Sequence, residues 1–390
     1  MVFEYVRQPW KTLYLAYRVP VTICVLPMLA VIYALPIFRP QPGLSWGHAI
    51  RIAFFRHLNI IICSVGSIPP LPDHHAVVPS KEAQGIWIDG TPELITADLK
   101  LWTCHLQGYW FGKKGIVPEP KTPVQPGEKV FLFLHGGAYI FLSAHPRSFS
   151  SAIPRRLVEL SGTVPRALAV EYRLSSTHPL PDRHPFPTAL LDALAGYNYL
   201  VNIAGYHPSN IIVAGDSAGG NLTLALARYL VENSGVTDVL LPNPPGSLLL
   251  LSPWTDFSDS HDLPGSSSLT NKGDVFEDLT DKAGVAYYAK RAFLGPYGLG
   301  MAATNRYISP ASLHPLAHAS FIGFPRTFIQ AGGAERLLDQ IRTLRDKMVA
   351  DIGEDNVIYY EGADAIHDYI AFPWHPAYPS TLEAIQQWLA

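Results

Sequence analysis

Short, continuous runs of apolar residues recur from residue 130 onwards, and helical stretches separate them. Continuous apolar runs of this length are typical of strands that are buried on both faces of a sheet. Since strands and helices alternate, the pattern predicts βαβ units around a mostly parallel sheet, an α/β fold. The predicted helices end near residues 200, 231, 350 and 389. The predicted strands are residues 130–134, 167–172, 210–214, 248–251, 327–329 and 357–360.

Two parts of the chain depart from this regular alternation. Before residue 130, residues 84–89 and 99–109 have strand character, and the prolines between residues 69 and 79 mark a linker. Residues 257–325 are rich in Ser, Gly, Pro and aromatic residues, and a stretch this long predicts an excursion that forms part of a lid. We therefore expect two units, an N-terminal segment over residues 1–68 and one large domain over residues 69–390.

The N-terminal segment contains an uncharged apolar stretch over residues 20–38. As a helix it would rise roughly 28 Å, close to the ~30 Å hydrocarbon core of a bilayer. A retained, single-pass membrane anchor is the first interpretation, and a buried cap helix over an active site is the alternative. Positive charges lie on both sides of the stretch, so they do not indicate an orientation. A second apolar stretch, residues 58–68, is too short to span a membrane but could lie in its interface or line an acyl pocket.

Composition narrows the class of partner. Hydrophobic residues make up 48% of the 390 residues and charged residues 16%, which indicates a large core together with an apolar surface or a membrane segment. The net charge of −3 and the lack of any basic run give no indication of nucleic-acid binding. The three cysteines show no metal-binding spacing, and we expect Cys24 and Cys63, which lie in apolar runs, to be buried thiols.

The most informative motif follows the strand over residues 210–214. The motif is expected to form a sharp turn between this strand and the next helix. Such a turn accepts only small residues beside a central serine. It places the serine at the helix N-terminus, where free N–H groups stabilise negative charge. The context of strand, turn and helix is the one in which a G-x-S-x-G motif presents a nucleophile. By itself the motif also fits a glycine-rich turn with an incidental serine. It reads Gly215-Asp216-Ser217-Ala218-Gly219.

A second motif, His135-Gly136-Gly137, follows the buried strand over residues 130–134. Adjacent glycines let the backbone approach a ligand closely, so that backbone N–H groups can bind an oxyanion. The alternative is that the motif is an ordinary turn at the end of a strand. Ala138 stands where such loops usually have a third glycine.

A serine nucleophile needs a base, and the chain order Ser, acid, His identifies candidates. His367 follows the last predicted strand directly, and His375 is the second choice because it lies farther on among prolines. Glu335 follows the preceding strand and is the candidate acid, whereas Asp339 lies one helical turn later and is expected to face away.

From about residue 131 to its end, the chain resembles the hormone-sensitive-lipase-like group of α/β-hydrolases. The resemblance implies the α/β-hydrolase fold, a mostly parallel central sheet flanked by helices, with residues 69–390 as the catalytic domain. Glu335 stands where that group usually has aspartate, which the orienting role of the acid tolerates. The apolar N-terminus and the segment 332–335 resemble fungal hydrolases similar to the steryl acetyl hydrolases, which implies a membrane location in the endoplasmic reticulum. The motifs that carry the resemblance are His135-Gly136-Gly137, Tyr172-Arg173-Leu174, His184-Pro185-Phe186-Pro187, residues 215–222, Ser252-Pro253-Trp254, Ser309-Pro310 and His367-Asp368.

These residues together predict hydrolysis of a small apolar ester. Ser217 is the expected nucleophile, His367 the base, and Glu335 the acid that orients it. We expect short acyl groups on a bulky apolar alcohol, no metal or organic cofactor, and a membrane as the partner of the N-terminal segment. The alternatives are a different reaction on the same scaffold, such as release, cyclisation or condensation in secondary metabolism, and a non-catalytic small-molecule-binding protein. The expected oxyanion donors are Gly136, Gly137 and Ala218, and the expected motif-supporting residues are His135, Asp216, Gly215 and Gly219.

Overall fold

The computed structural model describes residues 2–41, 43–66, 83–94, 105–235, 239–276 and 278–390. Its centre is an eight-stranded sheet with the strand order β1-β2-β4-β3-β5-β6-β7-β8. Strand β2 runs antiparallel to both of its neighbours, and every other pair is parallel, which confirms the predicted mostly parallel sheet. The strands are β1 Ala83–Ile88, β2 Leu106–Gly112, β3 Val130–Leu134, β4 Arg166–Glu171, β5 Ile211–Asp216, β6 Ser247–Leu251, β7 Arg326–Gly332 and β8 Val357–Gly362.

Helices cover both faces of the sheet, which explains why the central strands are continuous apolar runs. In β3, Val130, Leu132 and Leu134 belong to one hydrophobic core. Phe131 and Phe133 point to the opposite face and belong to a second core, because successive strand residues alternate between faces. The helices are α1 Trp10–Ile32, α2 Trp46–Val65, α3 Ala152–Leu160, α4 Thr188–Asn198, α5 Ala218–Glu232, α6 Ser267–Thr270, α7 Val285–Leu294, α8 Gly300–Thr304, α9 Leu338–Ile352 and α10 Tyr378–Leu389.

The predicted segments before residue 130 and in the excursion are described in part. Strand β2 is described from Leu106, which pairs with Ile88 of β1. Residues 95–104 and the proline-rich linker over residues 69–79 lie outside the described residues. The excursion contributes α6, α7 and α8, and none of its described residues joins the sheet.

The N-terminal segment forms a hairpin of two helices instead of one isolated helix. Helix α1 begins ten positions earlier than the predicted stretch and ends at Ile32, and Leu35 before Pro36 is extended, as residues before proline usually are. The Trp46 indole N–H donates to the Ala30 carbonyl at 2.7 Å, and this bond ties the first turn of α2 to the end of α1. By length and composition both helices could cross a membrane.

The two helices differ in what they contact. Helix α1 has no buried residue, and Cys24 is exposed, so the prediction of a buried thiol there is wrong. Helix α2 packs on the large domain, where Ile52 shares a small core with Ile366 and Phe372. Helix α1, which contains most of the stretch for which a buried cap helix was the alternative, is therefore not buried, whereas α2 packs on the domain.

Candidate active site

Ser217 lies on the turn between β5 and α5, with φ 52° and ψ −117°. This conformation is uncommon for a residue with a side chain, and the Ser217 N–H is held by the Leu251 carbonyl at 2.8 Å. Space requires the two flanking glycines. A Cβ on Gly215 would lie 2.2 Å from the Gly219 carbonyl oxygen, and a Cβ on Gly219 would lie 1.9 Å from the Leu134 carbonyl oxygen. The motif therefore has the steric origin that its sequence predicts.

His367 and Glu335 form a buried pair beside the carboxyl ends of β7 and β8. The His367 Nδ1 atom lies 2.6 Å from Glu335 Oε2, and neither side chain is more than 1% exposed. The second oxygen, Oε1, accepts the Gly332 N–H at 2.7 Å. Both carboxylate oxygens thus have a donor, and the bond at Nδ1 directs that ring nitrogen away from any reacting group. The structure brings these two predicted residues together.

Two further carboxylates lie near His367, one at its backbone and one at its ring. Asp274 Oδ1 accepts the His367 backbone N–H at 2.9 Å, and Asp368 Oδ2 lies 3.1 Å from His367 Nε2. Burial opposes the charged imidazole, but the carboxylates of Asp368 and Glu335 outweigh it and raise the pKa of His367 well above its ordinary value. Sequence reasoning assigned no role to Asp274 or Asp368. Asp368 directly follows His367 in the sequence, and this position could have identified it as a neighbour of the imidazole. Asp274 lies in the excursion, where no sequence pattern indicates a functional residue.

The second-choice residues lie elsewhere. The carboxylate of Asp339 accepts the Ser267 N–H at 2.7 Å and holds helix α6, so it faces away from His367 as predicted. His375 packs against the ring of Tyr369 and accepts the Ala377 N–H at 3.2 Å through Nδ1.

The oxyanion loop corrects one expectation. The Gly136 N–H, which we expected to stabilise an oxyanion, donates to Asp216 Oδ1 at 2.9 Å. Gly136 therefore holds the loop against the nucleophile turn in this structure instead of presenting a free donor. The fit is close, since a Cβ on Gly136 would lie 2.3 Å from Asp216 Oδ2. Burial, together with the Asp368 carboxylate, raises the pKa of Asp216 well above its ordinary value.

The neighbouring N–H groups are available. Among the described residues, none accepts a hydrogen bond from the N–H of Gly137 or Ala218. Gly137 has φ 101°, which favours glycine, and Ala138 adopts φ 54° despite its side chain. Two of the three predicted donors are therefore unpaired beside Ser217.

His135 supports this loop without acting as a base. Its ring stacks on Tyr172 at a centroid distance of 4.2 Å, and the Tyr172 hydroxyl donates to the His135 carbonyl at 2.5 Å. Burial lowers the pKa of His135 to about 4, so the imidazole is neutral at physiological pH.

A cavity opens onto Ser217. Ala138 and Trp254 line its floor, α2 forms one wall from Asn59 to Ser64, and the excursion forms the other with Phe276 and side chains between residues 278 and 286. The predicted lid and the second apolar stretch therefore meet over the serine. We expected residues 58–68 either to lie in a membrane interface or to line an acyl pocket. The part of this stretch that belongs to α2 lines the cavity, which agrees with the second interpretation. Residues 67–68 lie outside the described residues.

No group of three His, Cys, Asp or Glu side chains in the described part of the chain is arranged to hold a metal ion.

Comparison with known proteins gives consistent matches. The family described as alpha/beta hydrolase fold matches residues 131–371. An acetyl-hydrolase of Streptomyces hygroscopicus is 30% identical over 289 residues, which are 71% of this chain and 83% of that protein. Esterase LipU of Mycobacterium tuberculosis is 31% identical over 261 residues, 65% of this chain and 73% of its own.

Solved structures agree with this fold. An esterase/lipase from an uncultured bacterium superimposes with a TM-score of 0.56 at 22% identity, covering 93% of this chain and 97% of its own. A hormone-sensitive lipase from a metagenome library gives a TM-score of 0.56 at 21% identity, covering 87% of this chain and 91% of its own.

Proposed function

The chain belongs to the alpha/beta hydrolase fold family and is an esterase of the hormone-sensitive-lipase-like group. From this premise, we propose that Ser217, His367 and Glu335 hydrolyse a carboxylic ester through an acyl-enzyme. The observation that carries the proposal is the buried 2.6 Å bond between His367 Nδ1 and Glu335 Oε2; the His367 ring packs against Phe276, which lines the same cavity as Ser217.

The proposed reaction has two steps. In the first, Ser217 Oγ attacks the ester carbonyl while His367 Nε2 accepts the hydroxyl proton, and the imidazolium then gives this proton to the departing alkoxide. In the second, water attacks the acyl-enzyme with His367 again as the base. Glu335 compensates the positive charge that forms on the ring. No step requires a metal or an organic cofactor.

The N–H groups of Gly137 and Ala218 are the proposed donors to the oxyanion. Each lacks another acceptor among the described residues, and such donors are worth about 3 kcal/mol in a preorganised site. Gly136 contributes indirectly, because its bond to Asp216 holds the loop in place.

The proposed substrate is a short acyl ester of a bulky, apolar alcohol. A similar protein is named an acetyl-hydrolase, which favours a small acyl group. Apolar side chains such as Ile60, Trp254 and Leu279 supply much of the cavity lining, which favours an apolar alcohol.

We also propose that α1 associates with a membrane, such as that of the endoplasmic reticulum. The helix exposes large apolar side chains, among them Ile23, Met28 and Val31, which are 62–75% exposed. An exposed apolar surface of this kind is a recognised mark of a membrane or protein contact. Fractionation of cells that express the full chain, with Ile23→Lys and Val31→Lys in one variant, tests this. The proposal requires the variant to move from the membrane fraction to the soluble fraction while keeping its esterase activity.

The catalytic proposal is tested with 4-nitrophenyl acetate and a fluorophosphonate label. The wild type should hydrolyse the ester and take up the label, and Ser217→Ala should do neither. The control is Asp339→Asn, because that carboxylate holds helix α6 and does not contact His367. Labelling of the Ser217→Ala protein would assign the nucleophile to another residue.

A further inference from the structure

Asp274 of the excursion joins the two loops that carry Glu335 and His367. Its Oδ1 atom accepts the backbone N–H of His367 at 2.9 Å, and its Oδ2 atom accepts the backbone N–H of Arg336, also at 2.9 Å. Arg336 directly follows Glu335, and the two loops follow different strands, β7 and β8. One carboxylate therefore sets the distance between the backbone of the proposed base and the backbone of the proposed acid.

The burial of Asp274 makes this connection rigid. The residue is fully buried, and a third backbone N–H, that of Val275, donates to Oδ1 at 2.7 Å. A buried carboxylate is costly unless hydrogen bonds satisfy it, and these three donors satisfy both oxygens. Because Asp274 is buried, water does not compete with the N–H groups of the two loops.

The excursion makes a second bond to the loop of the proposed acid. The Asn271 side-chain amide donates to the Glu335 carbonyl at 2.9 Å. Glu335 and His367 meet through a side-chain bond of 2.6 Å, and the strength of such a bond depends on its distance and angle. A displacement of about 1 Å near a reacting group can lower a rate about 10²-fold. The alignment of the pair therefore depends on residues 271–275, which we call the clamp.

Helix α2 holds the clamp from the side of the N-terminal segment. The Arg56 Nε atom donates to the Asp274 carbonyl at 2.5 Å, and a terminal nitrogen of Arg56 donates to the Lys272 carbonyl. Val275 packs against the same small core as Ile52 of α2. The backbone of the clamp is thus fixed by α2, while the Asp274 carboxylate fixes the two loops.

We infer that Asp274 is a positioning residue of the esterase reaction, and that Arg56 makes this positioning depend on the docking of helix α2. The inference rests on the proposed function, because it assigns Asp274 to the alignment of Glu335 and His367. Neither Asp274 nor Arg56 is among the described residues that line the cavity of Ser217, which we call the ester cavity. Loss of either side chain should therefore lower kcat and leave KM nearly unchanged.

The test is steady-state hydrolysis of 4-nitrophenyl acetate by Asp274→Asn and Asp274→Ala, with thermal unfolding of each variant. Asparagine has one oxygen, and the two N–H groups at the Oδ1 position favour it there, so its NH₂ faces the Arg336 N–H. We expect kcat to fall about tenfold in Asp274→Asn and about 100-fold in Asp274→Ala, with KM within about twofold of wild type. Asp339→Asn is the matched control, because that carboxylate also accepts a backbone N–H of the excursion but does not contact His367, and it should keep the wild-type kcat.

A double-variant cycle tests the role of α2. Arg56→Met removes both bonds to the clamp and keeps an apolar side chain, and kcat should fall about three- to tenfold. If Arg56 acts through Asp274, the same substitution should have a smaller effect in the Asp274→Asn background, because residues of one network are not additive. Arg51→Met is the matched control, since Arg51 of the same helix lies over the ring of Trp374, and it should keep the wild-type kcat.

The outcomes are distinct. A nearly normal kcat in a folded Asp274→Asn protein, or a loss that appears in KM instead of kcat, would overturn the inference for Asp274; if Asp274→Ala does not fold, the asparagine variant decides. An equal effect of Arg56→Met in both backgrounds would overturn the dependence on α2. Failure of the wild type to hydrolyse 4-nitrophenyl acetate would instead contradict the proposed function.

Discussion

Replacing Glu335 by glutamine tests the catalytic proposal at its most specific contact. In the wild type both oxygens of the Glu335 carboxylate accept: Oε2 from His367 Nδ1 at 2.6 Å and Oε1 from the Gly332 N–H at 2.7 Å. Glutamine has one oxygen and one amide NH₂ in the same space. If the oxygen faces Gly332, the NH₂ faces Nδ1 and favours the tautomer that carries its proton on Nε2, which cannot accept a proton from Ser217. If the oxygen faces His367, two donors meet at Gly332.

The size of the effect follows from the charge that is lost. Two unit charges about 4 Å apart interact with about 4 kcal/mol at an effective dielectric constant of about 20. A neutral hydrogen bond to glutamine recovers part of this energy. At about 1.36 kcal/mol per tenfold change in rate, we expect kcat to fall about 10²- to 10³-fold. KM should change little, because the pair does not line the ester cavity.

The assay is steady-state hydrolysis of 4-nitrophenyl acetate by Glu335→Gln, with thermal unfolding to confirm the fold. Asp339→Asn serves as the matched carboxylate-to-amide control and should stay close to wild type. A folded Glu335→Gln protein with nearly normal kcat would refute the reasoning. If Asp368→Asn lost activity instead, Asp368 would be the residue that supports His367.

Three further predictions concern the same region. Asp368 and Glu335 raise the pKa of His367, and the base must be neutral, so wild-type kcat/KM should fall as the pH drops through that raised pKa. The variant Asp368→Asn should lower the pKa of His367. In a pH–rate profile, its loss of activity at acidic pH should therefore begin at a lower pH. Asp216→Ala should reduce kcat about tenfold with little change in KM, since the Gly136 N–H loses its acceptor, whereas Asp216→Asn keeps an acceptor oxygen and should retain more activity in the same assay. Gly219→Ala should cost several kcal/mol in urea unfolding, or prevent folding, because its Cβ would overlap a backbone oxygen; normal stability would show that the turn can move.

The features that the sequence determined by itself are local. The apolar runs predict the strands because a strand buried on both faces needs apolar side chains throughout, and β3 and β5 lie where their runs predict. The glycines beside Ser217 identify its turn because no other residue fits there. Glu335 and His367 could be predicted from their order after Ser217, because parallel strands end at one edge of the sheet and each residue follows such a strand. In the structure, Glu335 Oε2 and His367 Nδ1 lie 2.6 Å apart.

Tertiary structure alone decided what the loops and helices contact. Gly136 and Asp216 are 80 positions apart, so no local pattern shows that they bond to each other and that this donor is occupied. The apolar composition of residues 20–68 is the same whether the segment spans a bilayer or covers a domain, and only the packing of Ile52 on the domain places α2 over the site. Likewise, Asp274 and His367 are 93 positions apart, and only the folded chain brings the Asp274 carboxylate to the His367 backbone N–H. Contacts between distant segments depend on the whole fold, and there the sequence pattern carries no separate signal.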